Sequence, residues 1–107
     1  MRELTKENYD TEVLETEKIV VVDFWGDTCV RCLQILPGME ELEAEFDKSV
    51  VFAKVNIKGN RRLAIREKVM SLPTVLIYKS GERVCALTGN SFSAKEVREK
   101  LTEVLNA

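Results

Sequence analysis

The chain has no histidine, so the imidazole that most often serves as a general base near neutral pH, and most often ligates zinc, is missing. Proton transfer falls to carboxylates, lysines and thiols. No apolar run approaches the roughly 18 residues of a membrane-spanning helix, and the polar start, MRELTKENYD, lacks the apolar stretch of a secretory signal. A cytoplasmic protein with no membrane attachment is expected. Glycine (5) and proline (2) are few, and no low-complexity stretch, repeat or linker interrupts the 107 residues. That leaves room for a single domain, 1–107, with its own core, and none for a long disordered region. Basic excess is missing too. With 16 Lys and Arg against 18 Asp and Glu, the formal charge is −2, whereas general nucleic-acid binding needs a basic face that displaces counterions from phosphates. Three cysteines make a poor structural framework, particularly in a reducing compartment, so a close pair points to redox chemistry or metal binding.

Such a pair stands in DFWGDTCVRCLQILP, residues 23–37, between a strand-like and a helix-like run. A thiol pair at this spacing is a dithiol/disulfide switch, half of a zinc site, or a coincidence of packing. IVVVDFW, 19–25, is apolar on both faces except for Asp23, as in a central strand covered by helices on each side. VVFAKVNI, 50–57, has the same character, interrupted by Lys54. Met39, Leu42 and Phe46 fall at helical spacing, which predicts a helix over 29–47 with an acidic outer side and a kink at Pro37. Thr5 caps an expected amphipathic helix at about 6–15, and NRRLAIREKV gives a shorter helix. TVLIYK and RVCAL flank SGE as an antiparallel hairpin turning at Gly81. Ser93 and Glu96 have capping-box spacing before a last helix whose buried stripe is Val97, Leu101, Val104 and Leu105. The order α-β-α-β-α-β-β-α implies an α/β fold, a central mixed sheet with helices on both faces.

If the strand 19–25 feeds the helix, Cys29 sits at the helix start, where unpaired N–H groups and the positive dipole end stabilise a thiolate. The thiolate is the nucleophile, and a pKa brought down from about 8.5 toward ambient pH balances thiolate fraction against reactivity. Cys32, one turn inward, can attack a mixed disulfide formed at Cys29. Arg31, read as an exposed, flexible guanidinium, adds less than one pKa unit to that activation. Asp23 is a carboxylate in an otherwise buried run. Burial raises its pKa and fits it to take a proton from Cys32 and return it, with Lys54 as its charge partner. The alternative is a purely structural buried ion pair or an edge position.

At this point the residues resemble the thioredoxin family over nearly the whole chain. VVDFW, then C-x-x-C with a proline five residues after Cys32, AKVNI, LPTVLIYKSGE and a later Gly89 fall in the family's order and spacing. The resemblance implies the thioredoxin fold, with Cys29 attacking, Cys32 resolving, Asp23 as buried acid/base and Lys54 beside it. It also implies a cis Leu72–Pro73 bond facing the disulfide, Leu72 offering backbone hydrogen bonds to an extended substrate, and Trp25, Pro73 and Gly89 bordering an apolar docking surface. The implied activity is reduction of protein disulfides, with no cofactor bound, electrons supplied by a thioredoxin-reductase-like donor, and a monomeric carrier.

Departures from the family pattern are as informative. Val30-Arg31 replaces the usual Gly-Pro between the cysteines, Thr28 the usual tryptophan before them, and Leu33 the usual lysine after them; the first strand is cut to MREL. About 30 mV of potential corresponds to about 1.4 kcal/mol, so small changes at this turn shift the couple. An oxidase or isomerase with a less reducing couple is the alternative within the fold. Thr28, Val30, Arg31 and Leu33 redraw the surface around Cys29, which points to a dedicated partner.

Two other classes stay open. A zinc module would need four ligands, yet only Cys85 remains and no histidine, so a full site would require a dimer or carboxylates. A non-catalytic interaction domain would keep the fold alone. Cys85 reads as a small core residue, with a regulatory thiol or a dimer bridge as alternatives. The basic run Lys58, Arg61, Arg62, Arg66 and Lys68 reads as a solvated helix face, or as a dock for an acidic partner.

Overall fold

The structure, a computed structural model, describes residues 1–89 and 91–107. Five strands, β1 (Arg2–Leu4), β2 (Ile19–Trp25), β3 (Val50–Asn56), β4 (Thr74–Lys79) and β5 (Glu82–Thr88), form one sheet in the order β1-β3-β2-β4-β5. β3 pairs in parallel with both β1 and β2, while β2–β4 and β4–β5 are antiparallel. MREL is thus a strand, short but paired. Its Leu4 is buried, and its place at the sheet edge explains why three residues suffice.

The helices cover both faces, as the apolar character of β2 on both sides, Asp23 apart, predicts. On one face Val20, Val22 and Phe24 pack with Tyr9, Val13, Leu63 and Ala64; on the other Val21, Val75 and Ile77 pack with Met39, Leu42, Val97 and Leu101. The alternation along β2 therefore sends every second side chain into a different core.

α1 (Val30–Glu45) runs through Pro37 as one helix, α2 (Arg61–Arg66) follows β3, and α3 (Ala94–Leu105) closes the chain. α1 and α3 approach so closely that a Cβ on Gly38 would lie 2.6 Å from the Ala94 Cβ. The hairpin turn holds Ser80 and Gly81 at φ 52° and 82°, a two-residue loop whose twist suits antiparallel strands, and a side chain at Gly81 would strike the Leu14 carbonyl.

Two local expectations are corrected. The first helix becomes a tight turn followed by a π-helical segment, Asp10–Leu14, in which Glu15 N–H donates to the Asp10 carbonyl at 3.0 Å. Wide winding still leaves Tyr9 and Val13 fully buried, and Thr5 does cap its start, its Oγ1 accepting from Glu7 N–H. At α3 the capping box does not form: Ser93 is the N-cap residue, but its side chain makes no cap hydrogen bond.

Candidate active site

β2 ends at Trp25, and the chain turns through Gly26–Thr28 into α1, so that Cys29 becomes the helix's N-cap residue. Its backbone N–H donates to Gly26 O, and its Sγ accepts from Cys32 N–H, each at 3.1 Å. This sulfur takes the place of the oxygen that usually satisfies an N-terminal amide. Cys29 and Cys32 are joined as a disulfide, Cys29 half-buried and Cys32 only 3% exposed. The pair's unequal access is what a nucleophile and an inner, resolving thiol require.

Beneath the disulfide lies a cavity of about 140 Å³ lined by Asp23, Trp25, Cys32, Leu33, Leu36 and Lys54. Asp23 is 1% exposed, and its Oδ1 has no hydrogen-bond partner among the described residues. Desolvation by burial pushes its pKa up to about 7, against a smaller downward pull from Lys54. Asp23 and Lys54 are register partners across β2 and β3, yet they form no ion pair. The ammonium of Lys54 stands 5.5 Å from the centre of the Trp25 ring, held over the aromatic face. A carboxyl group that changes protonation near neutral pH therefore shares a cavity with the inner cysteine.

The Leu72–Pro73 bond is cis, as the family resemblance implies. The Pro73 carbonyl accepts from Gly89 N–H at 3.1 Å, which ties the proline loop to the end of β5, and Gly89 has φ 90°. Leu72 packs over Gly26, where an added Cβ would lie 3.1 Å from Leu72 Cδ1. Thr28 and Leu72 share a second, open depression of about 440 Å³. Val30 projects outward, 68% exposed. Arg31 departs from expectation: it is half-buried, and its Nη2 donates to the Phe92 carbonyl at 2.6 Å, so the guanidinium staples the cysteine turn to the segment before α3.

Asp23, Trp25, Cys32 and Lys54 are thus brought into one cavity, Thr28 and Leu72 into a neighbouring one, and Pro73 and Gly89 into a hydrogen-bonded pair. Leu36 and Phe92 were missed. Leu36 could have been found from its place four residues after Cys32, on the same helical face. Nothing local marks Phe92, whose carbonyl meets a side chain 61 residues away.

Cys85 is partly buried against the core under α3, where burial raises its thiol pKa. Among the described residues no group of three or more potential metal ligands forms, and no helix is long and apolar enough to cross a membrane.

Comparison with known proteins agrees with this geometry. A family model described as thioredoxin matches residues 1–104. The chain is 41% identical over 97 residues to a thioredoxin of Acetoanaerobium sticklandii, covering 91% of this chain and 92% of that one. A thioredoxin of Peptoclostridium acidaminophilum is 39% identical over 95 residues, 89% and 86% of the two chains. Thioredoxin 2 of Chlorobaculum tepidum is 33% identical over 101 residues, 94% and 92% of the two. With five strands in mixed order, flanking helices and a disulfide at C-x-x-C spacing, the chain belongs to the thioredoxin family of thiol–disulfide oxidoreductases.

Proposed function

We propose that this protein reduces disulfides on target proteins, as a single monomeric domain over 1–107 in a reducing cytoplasm. It holds no cofactor and is re-reduced by a thioredoxin-reductase-like donor. The thiolate of Cys29 attacks one sulfur of the target disulfide; that bond breaks, a mixed disulfide forms, and the released target thiolate takes a proton from solvent. The Cys32 thiol gives its proton to Asp23 across the shared cavity, and its thiolate attacks Cys29 Sγ. The second target thiolate leaves and recovers the proton, two electrons having passed to the target. Lys54, beside Asp23, tunes the carboxylate that receives the proton. Trp25, Thr28, Val30, Arg31, Leu72, Pro73 and Gly89 border the surface on which the target segment lies, with the Leu72 backbone pairing with it.

The observation that supports this reading best is the cavity joining a carboxyl group of pKa about 7 to the inner sulfur of the Cys29–Cys32 pair. Reduced protein mixed with a disulfide-bonded test protein checks it. Cys29→Ser is expected to abolish reduction, and Cys32→Ser to accumulate a covalent mixed disulfide at Cys29. Trapping through Cys32 instead would reverse the assigned roles. Thiol trapping across a dithiothreitol redox series then gives the direction of electron flow: a strongly reducing couple fits a donor, a much less reducing one an oxidase or isomerase.

A further inference from the structure

The two most exposed large apolar side chains outside the cysteine turn are Met70, 86% exposed, and Ile65, 68% exposed. They rim a depression of about 200 Å³ that also takes in Ile57, Arg61 and Leu72. Those last three residues line the depression at Thr28 as well. A single groove therefore leads from the residue preceding Cys29, past the residue preceding Pro73, to the outer end of α2. Its rim is basic. Lys58 and Arg61, which line it, are exposed and form no ion pair among the described residues, nor does exposed Arg62, next to Arg61 in α2, whereas Arg2, Arg66, Arg83 and Arg98 each face a carboxylate. The one acid lining the groove, Asp27, accepts from Asn56 Nδ2 at 3.4 Å. Unneutralised positive charge beside exposed apolar side chains stands out in a chain of net charge −2, whose α1 carries Glu40, Glu41, Glu43 and Glu45.

We infer that this groove seats the chain flanking the disulfide of a target protein, a segment with an apolar side chain for the Ile65–Met70 depression and carboxylates facing Lys58 and Arg61. The inference rests on the disulfide-reducing role proposed above. Any sulfur attacked by Cys29 must lie beside Thr28, and the groove begins there, so the chain that continues from that sulfur is what the groove meets. Opposite charge on the rim raises the encounter rate and selects among targets by a screened interaction. The molecule's overall negative charge would by itself favour basic targets, so a preference for acidic ones has to come from a local patch.

Three short peptides, each with one cysteine and joined as symmetric disulfides, test this. One has leucine and two glutamates beside the cysteine, the second leucine and two lysines, the third serine and two glutamates. Rates of reduction by the stoichiometrically reduced protein are each divided by the rate with hydroxyethyl disulfide, which has no flanking chain. We expect the leucine–glutamate peptide to react at least about tenfold faster than the lysine peptide at low salt, and the ratio to fall toward one near 1 M salt, where the Debye length is roughly 3 Å. Lys58→Glu with Arg61→Glu is expected to invert the charge preference, though Arg31 remains. Ile65→Ser with Met70→Ser is expected to erase the advantage of leucine over serine.

Equal rates for the three peptides, or a charge preference untouched by the double reversal, would overturn the inference. So would a reversal that slows only re-reduction by a thioredoxin reductase, which would assign the groove to the electron donor. Reduction of hydroxyethyl disulfide without peptide discrimination removes this inference alone, while no reduction of either removes the proposed function with it.

Discussion

Asp23 is held in the core without a hydrogen-bond partner for Oδ1, an arrangement that costs stability whenever the carboxylate is ionised. Its pKa rises from 3.8 to about 7 on folding. The folded state therefore binds the proton more tightly than the unfolded chain, and the associated stability is present below pH 4 and lost as pH rises through about 7. Asp23→Asn, which cannot ionise, is expected to match the native protein near pH 4 and to exceed it by about 4 kcal/mol at pH 8, at about 1.4 kcal/mol per unit of the shift from 3.8 to about 7. Urea unfolding of the oxidised protein at the two pH values checks this, and a constant difference between them would mean that folding leaves the carboxyl's pKa where it stands in the unfolded chain. Arg31 acts in a second way, through its charge-assisted bond to Phe92 O. Arg31→Ala removes charge and staple together, while Arg31→Lys keeps the charge without the planar fork. Slower alkylation of reduced Cys29 in the alanine variant, restored by lysine, would mark a charge effect; equal slowing in both would mark the staple. Asp23 was legible in the sequence because one carboxylate in an apolar run is an anomaly visible within seven residues. The staple was not, since a guanidinium's choice of a carbonyl 61 residues away depends on tertiary placement alone.

The elements that carry the site were legible for a similar reason: β2 and β3 are apolar apart from Asp23 in one and Lys54 and the terminal Asn56 in the other, and α1 has a clear helical stripe, so pattern and burial agree. Elements whose form depends on what packs against them were less so. The π-helical segment Asp10–Leu14 has a helical pattern, but its end packs Leu14 O against the turn at Gly81, a contact between distant parts of the chain that the pattern does not show. Ser93 has the right spacing to cap α3, yet spacing does not fix the rotamer that would make the bond. Gly38 is the sharpest case. In isolation, Gly→Ala inside a helix stabilises by about 1 kcal/mol. Here the new methyl would stand 2.6 Å from Ala94 Cβ, so α1 and α3 must move apart, and overpacking of this kind costs roughly 1–3 kcal/mol. Gly38→Ala is expected to lower stability, by up to about 2 kcal/mol once the helix gain of about 1 is set against the overpacking, in a urea titration, and Ala94→Gly in the same chain to recover most of the loss. A stabilised single variant would show that the interface yields without cost.

For the whole molecule, folding and redox state form one thermodynamic cycle. The difference in unfolding free energy between oxidised and reduced protein equals the difference between the couple's potential in the folded and in the unfolded chain. A fold that holds Cys32 N–H against Cys29 Sγ at 3.1 Å keeps the two thiols at bonding range, whereas an unfolded chain must lose conformational freedom to bring them together. With a sequence separation of 3, the chain-entropy relation gives about 2 kcal/mol of extra stability for the oxidised form. That corresponds to a couple about 40 mV more reducing in the folded protein than in its unfolded chain. Matched urea titrations with and without dithiothreitol are expected to place the oxidised midpoint higher. A reduced form that unfolds later would mean that this fold favours the dithiol, and electrons would then flow from targets to the protein, the direction of an oxidase.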